Sequence, residues 1–269
     1  MVHRLRAEAV GLFGLYARQR WSAASSSKSA ESAYDFCFAT TTSSRGGKKM
    51  WCVPELNDEY IERMEDVLEL YERPYQDSEP VVCLDERPVQ LHDEKRAGSR
   101  ARPGRCARYD YEYVRRGTAN IFCAVEALAG KHLTKVTKNR KAPAFAAMLR
   151  DIAKRYPDAD TIHLVMDNLS THSINSLTRH FGQDLAHELW SRFTIHYTPK
   201  HGSWLNMAEI EIGLLNKQSL GTRRFPALQP LRQHVRAWNR RANKDRIRIE
   251  WTFTRRKARK KFAYTPTKT

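Results

Sequence analysis

No stretch of the 269 residues carries the roughly 18 consecutive apolar side chains that a membrane-crossing helix needs, so a membrane span is not expected. Cysteine is sparse and scattered. Cys37, Cys52, Cys83, Cys106 and Cys123 include no Cys-x-x-Cys pair, which excludes a zinc pattern or a disulfide framework and suits a reducing cytoplasm. The 12 glycines form no glycine-rich phosphate loop, and Ser203 lacks a nucleophile-elbow setting. No internal repeat is present. Acid is the scarcer charge, with 30 Asp and Glu against 47 Lys and Arg, for a formal net charge of +17.

Most of that excess sits at one end. From Arg223 onward there are 16 Lys or Arg against two acids, Asp245 and Glu250, a net +14. A concentrated basic segment favours a phosphate-rich partner, although a solvated basic tail has the same composition. A second run of cations, Lys95, Arg96, Arg100, Arg102, Arg105 and Arg108, fills the loop read between His92 and Arg108. Arg236 and Arg240 lie on the wetter side of a helix beyond Leu228, and Arg255, Arg256 and Lys257 follow near the end.

Against this basic background, three acids stand at the ends of well-marked elements. Val81–Asp85 and Thr161–Asp167 are apolar, β-branched runs that terminate in Asp, the pattern of buried strands. Phe193–Tyr197 is a further strand, Pro199 and Gly202 make a turn, and Asn206 opens a helix bearing Glu209 and Glu211. Clustered carboxylates stay ionised together when a hard cation lies between them, and oxygen ligands favour magnesium or manganese. With two such ions the chemistry is phosphodiester cleavage or transfer. Neighbouring strand residues point to opposite faces, so only one of Asp85 and Glu86 can enter such a site. Glu209 and Glu211 are likewise about 200° apart around a helix, so only one joins it.

The blocks Val82-Cys83-Leu84-Asp85-Glu86, Leu164-Val165-Met166-Asp167-Asn168-Leu169-Ser170-Thr171-His172 and His201-Gly202-Ser203-Trp204-Leu205-Asn206-Met207-Ala208-Glu209 resemble those of DDE transposases of bacterial insertion sequences in the mariner superfamily. The resemblance runs from about Lys48 to Trp251. It implies an α/β, RNase H-like catalytic domain holding two Mg2+ or Mn2+ ions, and cleavage and strand transfer on double-stranded transposon-end and target DNA. It also implies a homodimer on DNA in a bacterial cytoplasm, at the nucleoid. By motif position it assigns Asp85, Asp167 and Glu209 as metal ligands and catalytic acids, with Glu211 the alternative for the third. Lys200, His201, Ser203 and Asn206 are read as positioning DNA or bracing the loop, Trp204 as facing DNA or the core, and His172 as touching DNA or as a packed or solvent-facing side chain. A catalytically inactive DNA-binding remnant and a general RNase H-like nuclease are the competing functions.

The chain divides on this reading into residues 1–47, a helical lead-in over 48–80, the catalytic domain over 81–220 and a basic segment over 221–269. A helix-like piece from Leu5 to Trp21 and Ser/Thr/Gly tracts occupy the first part, where flexibility is expected and no helix-turn-helix is found. The abrupt start of family-like sequence near Lys48 points to a truncated or frame-disrupted element. Within the catalytic domain, short connections predict a meander in which Tyr109–Val114 turns at Arg115–Thr118 into Ala119–Leu128, with Lys135–Thr137 as a rim extension. Helices are expected over Asn57–Tyr71, from Pro143 to Tyr156 and from Ile174 to Phe181, with a second run from Asp184 to Trp190 continuing the last or standing apart, and the whole makes a mixed five-stranded sheet flanked by helices.

Overall fold

The computed structural model describes residues 4–7 and 56–265. The readings of a flexible start and of a helix past Ala7 fall outside them. Arg4–Ala7 form a short strand, β1, rather than the opening turn of that helix. It pairs in parallel with β7, Arg248–Trp251.

The centre is a five-stranded sheet in the order β4-β3-β2-β5-β6, built from β2 (Val81–Glu94), β3 (Tyr113–Glu126), β4 (Lys131–Thr137), β5 (Ile162–Met166) and β6 (Phe193–Tyr197). β2, β3 and β4 pair antiparallel, while β5 and β6 add in parallel beside β2. The mixed α/β sheet expected from the sequence is present. Every residue of β5 is buried, as a strand covered on both faces requires.

The meander differs in detail. Arg115–Thr118 does not reverse the chain, because Gly117, at φ +102°, takes up an irregularity in the pairing where the register shifts between Gln90 and His92. β2 and β3 therefore continue as a long two-stranded ribbon past the rest of the sheet. The reversal comes instead at Ala127–Gly130, which makes Lys131–Thr137 a full strand. Gly130, at φ +63°, is required there, since a Cβ would lie 2.8 Å from the Ile247 carbonyl oxygen and 2.9 Å from that of Arg246.

Helices cover both faces. α1 (Asp58–Glu72) is capped by the Asn57 side chain, which accepts from the Tyr60 N–H at 2.8 Å, and it stops at Arg73-Pro74. α2 (Ala142–Arg155), α3 (Ile174–Phe181) and α4 (Gln183–Ser191) pack on one face, where Val82, Leu84 and Phe122 meet Phe145, Leu149 and Leu177. α5 (Ala208–Leu215), a π-helical turn (Asn216–Leu220) and α6 (Leu228–Asp245) pack on the other, where Ile121 and Cys123 meet Leu215, Leu231 and Trp238. α7 (Arg255–Phe262) returns to α1.

Candidate active site

Three elements bring Asp85, Asp167 and Glu209 to one end of the sheet. Val82 pairs with Leu164 and Cys83 with Val165, so continuing that parallel register sets Asp85 level with Asp167 on adjacent strands. β6 ends beside Met166, where Thr198 N–H donates to the Met166 oxygen at 2.9 Å, and the next loop starts at the edge of the site. Gly202 closes that loop over Pro199, whose ring leaves only 2.4 Å for a Cβ. Asn206 then clamps the loop to β2: its amide donates to the Leu84 oxygen at 2.8 Å, and its Oδ1 accepts from Ala208 N–H at 3.0 Å. Glu209, exposed in the first turn of α5, is thereby held near Asp85.

The three acids feel one another. Burial, opposed by a hydrogen bond from the Glu86 N–H and reinforced by the charges of Glu86, Glu209 and Asp167, pushes Asp85 up to about 7. Burial also acts to raise Asp167, but His172 and the more distant Arg140 outweigh it and hold Asp167 below the usual carboxylate range. Asp167 Oδ1 lies against the His172 ring, while 47% of the side chain is open to solvent. A half-exposed carboxylate beside two further carboxylates fits a hard divalent cation.

A metal-free chain should accordingly bind a divalent cation more weakly as pH falls. The raised Asp85 keeps a proton that the unfolded chain has already released, so its contribution to stability is complete below about pH 4 and lost as pH rises through about 7. The cation competes with that proton, and Mn2+ titrations between about pH 5 and 8 should show affinity climbing towards the upper end. Constant affinity across that range would remove Asp85 from the cation's ligands.

The two faces of β2 are both used. Asp85 looks towards α5, while Glu86, with its side chain 2% exposed, looks towards α2 and meets His172 Nε2 at 2.8 Å. His172 Nδ1 lies 2.6 Å from Asp167 Oδ1, yet its hydrogen bond goes to the Asp167 main-chain oxygen at 3.1 Å; the carboxylate contact is an ion pair off the N–H axis. Burial alone would lower the imidazole, but Asp167 and Glu86 raise it to about 10. Glu86, Asp167 and His172 have donor atoms within 4.8 Å of one another, the spacing of a metal site. With both ring nitrogens engaged by carboxyl or carbonyl oxygens, however, the imidazole offers no lone pair, and the trio is a hydrogen-bonded brace.

Glu211 is elsewhere. Its side chain is fully buried, with Oε1 2.6 Å from His132 Nδ1 and Oε2 without a partner, on the inner side of α5. The sequence left Glu211 as the alternative to Glu209 for the third acid, and nothing in it marked His132.

Several residues read as DNA contacts are turned inward or already paired. Asn206 is 3% exposed and Trp204 joins Trp251, Phe253 and Phe262, with its Nε1 donating to the Tyr60 hydroxyl at 3.2 Å. His172 is likewise buried. Lys95 and Arg96 each lie 2.9 Å from Glu112, and Arg255 binds Glu69 and Glu72 on α1. Lys200, His201, Arg236, Arg240, Arg256 and Lys257 are exposed, and Ser203 is half-buried. Arg100, Arg102 and Arg105 are exposed on a small hairpin, pinned by bridges between Ser99 and Arg108 and between Arg102 and Arg105. Arg140, also exposed and close enough to act on Asp167, carried no sequence signal beyond its charge.

Solved structures with a similar fold include the Mos1 mariner paired-end complex with Mn, at a TM-score of 0.51 and 15% identity over 76% of this chain and 62% of that one. The Mos1 paired-end complex with Mg gives 0.48 at 16% identity, over 77% of this chain and 62% of that one. The Mos1 strand transfer complex gives 0.47 at 14%, over 80% and 64%. The chain thus spans less than two thirds of the length of these proteins, and the likeness to the first is one of fold. No curated protein matches the chain. The family described as DDE superfamily endonuclease matches residues 80–232, a range that contains all three acids and most of the sheet; the chain belongs to that family.

Proposed function

We propose that the chain is a transposase that cuts and joins DNA with divalent metal, using Asp85, Asp167 and Glu209. The observation that carries this reading is the placement of the three: the register of β2 and β5 sets Asp85 level with Asp167, and Asn206 ties the start of α5, whose first turn bears Glu209, to the strand beside Asp85. The residues that would hold Mg2+ or Mn2+ are these three, and two ions there would supply an acidified attacking hydroxyl and neutralise charge on the leaving oxygen. The chain itself contributes orientation. Asn206 fixes the start of α5 to the strand bearing Asp85, and His172 steadies Asp167. Arg140 and Lys200, exposed around the site, supply positive charge for a scissile phosphate, and His201 beside Lys200 is exposed to contact it.

The substrate is assigned as double-stranded transposon ends and target DNA, held by a dimer. The support is the family together with the fold shared with a Mos1 paired-end complex. The exposed arginines of the 99–108 hairpin and of the outer face of α6 suit a duplex backbone. Incubating the intact chain with supercoiled plasmid and Mg2+, then with labelled oligonucleotides bearing the element's ends, tests the reading. Nicking with end joining is the expected result. Nicking without joining would leave a general nuclease, and binding without either would leave an inactive remnant.

Binding should fall steeply with salt, and replacing Arg100, Arg102 and Arg105 together by Ala should reduce the slope of log affinity against log salt by up to about 3. An unchanged slope in a filter-binding series would detach this hairpin from the duplex.

A further inference from the structure

Glu86 has no part in the three-acid arrangement, because it points to the opposite face of the sheet from Asp85. Its environment is nevertheless unusual. A carboxylate 2% exposed and an imidazole 1% exposed meet at 2.8 Å under α2, where the His172 ring stacks on Phe145 at 4.5 Å between centroids. Burying an ion pair is costly and is often no more stabilising than apolar packing. A pair placed here therefore calls for a reason other than stability.

The reason lies on the other side of the ring. Asp167 is the first residue beyond β5, outside the strand ladder, and its side chain is half open to solvent. Besides a hydrogen bond from the Leu169 main chain, the histidine grips it, touching both its carboxylate at 2.6 Å and its main-chain oxygen at 3.1 Å. The ring is itself fixed on its remaining nitrogen by Glu86, and the His172 main-chain oxygen accepts from the Tyr197 hydroxyl at 2.8 Å. Glu86, His172 and Asp167 thus form a line running from one face of β2 to the end of β5.

We propose that Glu86 is a positioning residue: through His172 it sets the direction of the Asp167 carboxylate, and so the strength with which the site holds a divalent cation. The adjacent acids of β2 then divide one task, Asp85 facing the cation and Glu86 orienting its other carboxylate from behind. Outer partners of this kind commonly change metal affinity by about 10–100-fold when removed. The inference rests on the assignment of Asp167 as a metal ligand.

Mn2+ binding to the intact chain, read by electron paramagnetic resonance without DNA or turnover, separates the two. Glu86→Gln keeps an acceptor for the ring but loses the charge, and should weaken Mn2+ binding by about tenfold; Glu86→Ala and His172→Ala should approach a hundredfold. Asp167→Ala should abolish binding at the site. Loss in Asp167→Ala with unchanged affinity in both Glu86 variants would overturn the inference and leave Glu86 a packing residue. Unchanged affinity in Asp167→Ala would overturn the site assignment itself. Should Glu86→Ala fail to fold, Glu86→Gln, nearly isosteric, still decides the matter. A variant that melts earlier yet binds Mn2+ as the unaltered chain does counts against positioning.

Discussion

Asp167→Ala is expected to lose Mg2+-dependent DNA cleavage by about a thousandfold or more while still binding DNA. Charge stabilisation by a bound divalent ion is worth several kcal/mol, and about 4 kcal/mol corresponds to a factor of about a thousand in rate. Asp167 brings the most to such an ion: its side chain is half open to solvent, and the carboxyl is held below the usual range by His172 and so stays ionised. Asp85→Ala should fall by a similar factor, since Asp85 stands level with Asp167 on the neighbouring strand. Glu211→Ala serves as the contrast, and any drop it causes should follow the loss of folded protein. Single-turnover nicking, normalised to folded protein by circular dichroism, measures all three. Full activity in Asp167→Ala would end the assignment of these acids.

The contrast variant carries the largest expected effect on stability. Glu211 and His132 are both completely buried, and the ring spends its other nitrogen on the Ile247 oxygen at 3.0 Å. Asn243 holds the same residue by its main chain, accepting from the His132 N–H at 3.0 Å and donating to its oxygen at 2.8 Å. Removing the carboxylate leaves a ring nitrogen unpaired in the core. Glu211→Ala should therefore cost about 3–5 kcal/mol and lower Tm by on the order of 10 °C. Replacing both partners, Glu211→Leu with His132→Phe, should recover much of that loss, because no buried polar group is then orphaned. Additive losses in the double variant, by thermal melting, would show that shape rather than pairing matters at this point.

These two acids mark how far the chain could be read without coordinates. β-branched runs ending in Asp were enough to mark two buried strands, because strand burial is written in composition and both lie inside the sheet; that β2 runs on past Asp85 to Glu94, and that Asp167 stands one residue beyond β5, was not legible. The separation of Glu209 from Glu211 around a helix was equally legible. Which of them turned inward was not, since that depends on a histidine 79 residues away in sequence. Gly117 misled for a related reason: a glycine between two apolar runs signals a reversal and a bulge alike, and only the partner strand distinguishes them. The basic end was read by composition as one phosphate-binding patch. Arg255 and Arg259 instead spend their charge on Glu65, Glu69 and Glu72 of α1, a pairing that charge counting cannot see.

The aromatic group around Trp204 bears on how the protein can be cut for study. The family match covers residues 80–232, yet Trp204, inside those limits, leans on Tyr60 before them and on Trp251, Phe253 and Phe262 after them. A fragment trimmed to the matched range would expose a greasy wall beside the turn that carries Asn206, and would tend to stick to itself in solution. Shortening from either terminus alone strips the same wall, so both ends should travel with the centre in any expression design.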